Sequence, residues 1–149
     1  MEPTKNALDI LIAEDEAPNR ALYQRFLQIK GGHNVKFAVT AENAIELLEA
    51  RISEGNIPDY VITDNRFTET GGHKTGLDVI AYLLDKLPDH SQRPHILFVS
   101  GTEGQPEIEK LCIDKFGTYD PLTQRIEALR KPFEFKDLLA RINAHRDSL

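Results

Sequence analysis

Cysteine is almost missing from this sequence. Cys112 stands alone among 149 residues, so no intramolecular disulfide can form and a reducing, cytoplasmic setting is the default expectation. No apolar run is long enough for a membrane span or for a signal-peptide core with its usual flanks, so no membrane association is expected. An excess of positive charge is also lacking. Lys and Arg number 18 against 24 Asp and Glu, a net charge of -6, which argues against direct binding to nucleic acid or an anionic membrane and leaves a protein or a cation as the expected partner. There are no internal repeats or low-complexity tracts. With 28% charged and 40% hydrophobic residues, the composition is that of an ordinary folded chain.

The length fits one domain with a sizeable core. Residues 1-7 read as a loose N-terminal tail and 8-149 as the domain. Strand-like runs alternate with helical patterns throughout, which predicts βαβ units and a parallel α/β sheet of five strands. The runs are Leu8 to Ala13, Val35 to Val39, Tyr60 to Thr63, Ile96 to Val99 and the weaker Arg125 to Arg130. Between them, Leu22, Phe26 and Ile29 give a first helical stripe that starts near Pro18 and stops at Gly31-Gly32. Ala41, Ala44, Ile45, Leu48 and Ile52 give a second, with Thr40 as N-cap and Gly55 near its end. Leu77, Ile80, Ala81 and Leu84 give a third. Ile108, Leu111, Cys112 and Phe116 give a fourth, and Phe135, Leu138, Leu139 and Ile142 the last. Asn65 to Thr75 reads as a long polar loop containing Gly71-Gly72, and Gly117 to Gln124 as a break before the fifth strand.

Five polar residues stand at or just past the ends of these strands: Glu14, Asp15, Asp64, Ser100 and Lys131. In an open parallel sheet the ligand crevice lies at the carboxyl ends of the strands, so these residues are expected to share one cavity. Clustered carboxylates repel one another and call for a proton, a cation partner or a metal. Oxygen-only donors favour a hard divalent ion, with magnesium the best fit. An aspartyl nucleophile, a metal, a hydroxyl and a mobile lysine together match the needs of phosphoryl transfer to a carboxylate.

At these residues the chain resembles the receiver domain of bacterial two-component response regulators over nearly its whole length. Ile12-Ala-Glu14-Asp15-Glu16 is similar to the family's acidic pair, Val61-Ile-Thr-Asp64 to its phosphoacceptor, Val99-Ser100-Gly101 to its switch hydroxyl and Lys131-Pro132-Phe133 to its lysine-proline motif. The resemblance implies a doubly wound, flavodoxin-like fold with strand order 2-1-3-4-5. It implies that Asp64 receives a phosphoryl group from a sensor histidine kinase or a histidine phosphotransfer protein, with Ser100 and Lys131 assisting. It further implies a magnesium site at Glu14 (through water), Asp15, Asp64 and the backbone carbonyl of Arg66, and a stand-alone switch that meets a downstream protein through its 104-147 face. Arg66 and Thr102 fall where the family borders the path of hydrolytic water.

Three departures qualify the resemblance. Gly76 lies twelve positions after Asp64, farther than the family's glycine usually does, which implies an insertion of about four residues beside the site. The interval from Ser100 to Lys131 is also long, with the surplus placed in Gly117 to Gln124. Ala128 stands where the family carries its switch aromatic. A pseudo-receiver, an interaction module independent of phosphorylation, is therefore the alternative. An aspartyl phosphohydrolase of the haloacid dehalogenase type is disfavoured because Arg66 holds the place of its second aspartate. A nucleotide-binding flavodoxin is disfavoured because Glu14-Asp15-Glu16 would repel phosphate. Cys112 lies on an apolar stripe and is expected to be a buried structural thiol. The five histidines show no metal-ligand spacing; His33, His73, His90 and His95, in or near turns, are expected at the surface.

Overall fold

The alternation of strand and helix patterns becomes five parallel strands in a computed structural model, which describes residues 7-64, 74-100 and 104-148, Ser148 by its backbone alone. The strands are β1 (Asp9–Ala13), β2 (Asn34–Ala38), β3 (Tyr60–Asp64), β4 (His95–Ser100) and β5 (Ile126–Arg130), in the order β2-β1-β3-β4-β5. The expected fold is thus the observed one. Helices α1 (Ala17–Tyr23) and α6 (Phe135–Ser148) cover one face, where Tyr23, Leu27, Leu138 and Ile142 pack with Ile10, Ile12, Ile62, Leu97 and Val99. Helices α2 (Ala41–Ser53), α3 (Gly76–Lys86) and α4 (Gly104–Phe116) cover the other, against Leu11, Val61, Ile96, Phe98 and Ile126. Covering both faces explains why the strands are apolar runs rather than alternating ones. The order reverses between β1 and β3, so the crevice opens where Glu14, Asp15 and Asp64 stand.

Local chemistry sets several ends. The Thr40 side chain accepts from Asn43 N–H at 2.9 Å and caps α2 as expected, and Gly55 past that helix has a φ of 72°. Asp78 and Thr75 form a capping box at the start of α3.

The first helix departs from its expected face. Tyr23 and Leu27 are buried, whereas Leu22 and Ile29 are 37% and 73% exposed. Beyond Tyr23 the helix widens into π-helical Gln24–Lys30, with Gly31 N–H donating to Phe26 O five residues back. The wider turns lie beyond Tyr23 and shift the phase only for the residues that follow, such as Ile29; Leu22 precedes them and is turned out because its neighbour Tyr23 takes the buried face.

The histidines also differ from expectation. His33 is buried: Leu8 N–H donates to its Nδ1 at 3.1 Å, and its Nε2 lies 2.8 Å from Asn143 Oδ1 and supplies the hydrogen. His95 is half-buried, its ring 4.0 Å from that of His145 on α6 and stacked on Tyr60. Both sit beside turns, as expected, but tertiary contacts cover them. His90 is exposed, and His73 lies outside the described residues. Cys112 is fully buried, and burial pushes its thiol up to about 11.

The break before β5 contains a short helix, α5 (Pro121–Gln124), capped by Asp120 and closed by Arg125 at a φ of 61°. Arg93, buried, ties this segment down by donating to the carbonyls of Leu87, Pro88 and Gln124 at 2.9-3.0 Å.

Candidate functional site

Four strand ends converge at the carboxyl edge of the sheet. Glu14 and Asp15 follow β1, Asp64 closes β3, Ser100 closes β4 and Lys131 follows β5. Glu14 N–H donates to Ala38 O at 2.9 Å, and Lys131 N–H to Ser100 O at 2.8 Å, so sheet hydrogen bonding runs up to the site. The Lys131-Pro132 peptide is cis.

Lys131 Nζ donates to Asp64 Oδ2 at 2.7 Å, joining residues 67 positions apart. The Asp64 side chain is 12% exposed and that of Lys131 is 42%, so the lysine approaches a largely covered carboxylate from the solvent side. Asp64 is fixed from behind as well. Thr63 Oγ1 donates to its carbonyl at 3.1 Å, and a Cβ on Gly76, the first residue of α3, would overlap that carbonyl oxygen. Ser100 is buried, and a Cβ on Gly104, the first residue of α4, would overlap its Oγ. Both glycines are required by close approach.

Glu14 and Asp15 are buried at 3% and 6% exposure. Glu14 Oε2 accepts from Glu16 N–H at 3.1 Å, and Arg20 Nη1 donates to the Glu14 carbonyl at 3.0 Å. Burial pushes the Glu14 carboxyl up to about 7; Glu16 N–H and Lys131 pull it down, while Asp64 and Asp15 push it further up. Burial also raises the Tyr23 phenol, and the charges of Glu14 and Asp64 add to the effect.

The expected constellation is therefore together, except that the Arg66 carbonyl and Thr102 lie outside the described residues. Among the described residues, no three acids, imidazoles or thiolates form a converged metal-ligand set. The donor chemistry still suits a hard cation, because Asp64 and Asp15 both push the Glu14 carboxyl up, a repulsion among carboxylates that a bound cation would relieve. A recess of about 230 Å³ adjoins the site, lined by Glu14, Asn19, Tyr23, Lys131, Phe133 and Phe135 among others. Sequence reading gave no role to the supporting residues Arg20, Phe98 and Gly104, which carry no motif of their own, nor to Thr63, which it quoted only as part of the stretch before Asp64.

No protein-family profile matches the chain. No curated protein matches it either. Solved structures do. The crystal structure of NtrX from Brucella abortus is 25% identical, with a TM-score of 0.63 over 95% of this chain; the match spans 27% of that longer chain. A response regulator receiver protein from Sinorhizobium medicae is 24% identical, with a TM-score of 0.64 over 97% of this chain and 98% of its own. A CheY-like receiver domain protein from Methanospirillum hungatei is 18% identical, with a TM-score of 0.66 and 96% of each chain covered. Among the described residues no helix is long and apolar enough to cross a membrane. Sheet order, strand-end chemistry and these neighbours agree that the chain has the fold of response-regulator receiver domains.

Proposed function

We propose that the chain is a cytoplasmic phosphoacceptor switch, in which Asp64 takes a phosphoryl group from a phosphohistidine on a sensor histidine kinase or a histidine phosphotransfer protein. The observation that carries this reading is the 2.7 Å contact of Lys131 Nζ with Asp64 Oδ2 at the mouth shared with Glu14 and Asp15. In the transfer, an Asp64 carboxylate oxygen attacks phosphorus and the phosphorus-nitrogen bond breaks. Its electron pair leaves on the imidazole, and an acyl phosphate remains. Lys131 then pairs with a phosphoryl oxygen instead of the carboxylate, and the Ser100 hydroxyl donates to another. Glu14, Asp15, Asp64 and the Arg66 carbonyl would hold a magnesium ion, which when bound neutralises charge on the phosphoryl oxygens. Attack of water on the acyl phosphate returns Asp64 and inorganic phosphate, so the chain acts as a self-resetting signalling domain rather than a turnover enzyme. Its output is a protein contact through the 104-147 face.

Incubation with acetyl phosphate and magnesium, followed by intact mass, tests the proposal. One added phosphoryl group that disappears with Asp64→Asn and with chelator is expected. Absence of an adduct across several donors and metals would reject it in favour of a phosphorylation-independent interaction module.

A further inference from the structure

Phe98 heads the largest fully buried side chains, and its place in the sheet is unusual in what flanks it. Register pairs it with Thr63 on β3 and Ala128 on β5, so a large ring stands between two small side chains. The ring lies close to two helix starts. Its Cε1 lies 3.0 Å from where a Cβ on Gly76 would stand, and its Cδ2 3.4 Å from where one on Gly104 would stand. Those glycines seat the two functional groups: Gly76 backs the Asp64 carbonyl, and Gly104 backs the Ser100 Oγ. Thr63, the ring's neighbour on β3, donates to the same Asp64 carbonyl. One rigid ring therefore closes off the side-chain space of both glycines, beside the seat of the acceptor and the seat of the hydroxyl together.

We propose that Phe98 is a positioning residue, a strut that couples the main chain of Asp64 to Ser100 and the first turn of α4, so that displacement at either seat is passed to the other. The ring is one rigid planar unit and the interior around it is close-packed, so it deforms less than a branched aliphatic chain would. Because packed interiors do not deform continuously, a local change at one seat is passed on as a shift of the neighbouring helix start. The ring does not touch the phosphoryl group. Its role in signalling rests on the phosphoacceptor reading above, whereas the mechanical coupling does not.

Hydrogen exchange separates the two. Backbone amides of 60-64, 74-80 and 104-112 are followed in the wild type, in Phe98→Leu and in Leu48→Val, a core truncation in α2. Each protein is measured with and without acetyl phosphate and magnesium, and intact mass reports the adduct. Without phosphodonor, Phe98→Leu is expected to speed exchange at both helix starts together by about tenfold beyond the control. With phosphodonor, it is expected to take the adduct but lose most of the change seen at 104-112 in the wild type. If Phe98→Leu matches Leu48→Val, or loosens one seat alone, or transmits the full change, the strut is overturned. If the wild type takes no adduct, the phosphoacceptor reading fails and the paired loosening alone upholds or overturns the strut. Phe98→Met replaces Phe98→Leu if the latter does not fold.

Discussion

Glu14→Gln in metal-free buffer gives a stability difference whose sign and pH window follow from the site. The Glu14 carboxyl rises from an ordinary 4.5 to about 7 on folding, first through burial and then through Asp64 and Asp15. The folded state therefore holds this proton more tightly than the unfolded chain does, and stability falls as pH rises through that interval. The contribution is intact below about 4.5, declines between 4.5 and about 7, and is flat above. A rise of this size corresponds to about 3 kcal/mol, since each unit is worth about 1.4 kcal/mol. Partial solvent screening of the carboxyl takes some of that figure away, so about 3 kcal/mol is an upper bound. A glutamine side chain at this position keeps an oxygen for Glu16 N–H but carries no charge to desolvate. The variant is expected to equal the wild type near pH 4.5 and to exceed it at pH 8 by up to about 3 kcal/mol, or roughly 6-12 °C in melting temperature for a domain of this size. Thermal melts in chelator at half-unit pH steps give the difference curve, in which titrations common to both proteins cancel. A flat difference between pH 4.5 and 8 would refute the buried-acid account. Magnesium is expected to stabilise the wild type more at pH 8 than at pH 5, and Glu14→Gln less at both.

Three further outcomes are checkable with the same tools. Lys131→Met takes the ammonium away from an Asp64 carboxylate that is 12% exposed, so a loss of about 1-3 kcal/mol is expected in chemical denaturation, while the rate of adduct formation drops at least about tenfold. Gly76→Ala places a Cβ into the Asp64 carbonyl, which is strand backbone and cannot yield, so a loss of about 2 kcal/mol or more in urea unfolding is expected, with slower phosphorylation. Burial, His145 and Arg125 lower His95 from 6.5 to about 4, so its neutral form stabilises the fold above pH 6.5 and that stability is lost as pH falls toward 4; in melts at matched pH, His95→Phe is expected to gain stability relative to the wild type as pH falls through that window, the Glu14 titration being common to both.

Sequence alone carried the parts of this protein that depend on local order. Apolar runs of strand length separated by helical stripes predict a parallel sheet, because a strand buried on both faces must be apolar throughout, and all five strands lie within a residue or so of those runs. Motif residues at strand ends were legible because parallel topology brings every such end to one edge, and Asp64 and Lys131 meet there at 2.7 Å. The cap at Thr40 was legible too, since its partner Asn43 is three residues away.

What tertiary structure decided has no local signal. The buried stripe at the first helix lies on Tyr23 and Leu27, rather than Leu22 and Ile29, because those are the residues that pack against α6 and the sheet, a choice composition does not record. His33 reads as a turn residue, but Leu8 and Asn143, respectively 25 and 110 positions away, hold it inside. The raised Glu14 carboxyl needs burial and two other acids brought beside it, and the surroundings of Phe98 come from two small neighbours on separate strands and two glycines on separate helices. Periodicity reports which face a residue turns toward the core; it does not report what waits there, because that depends on contacts between segments far apart in the chain.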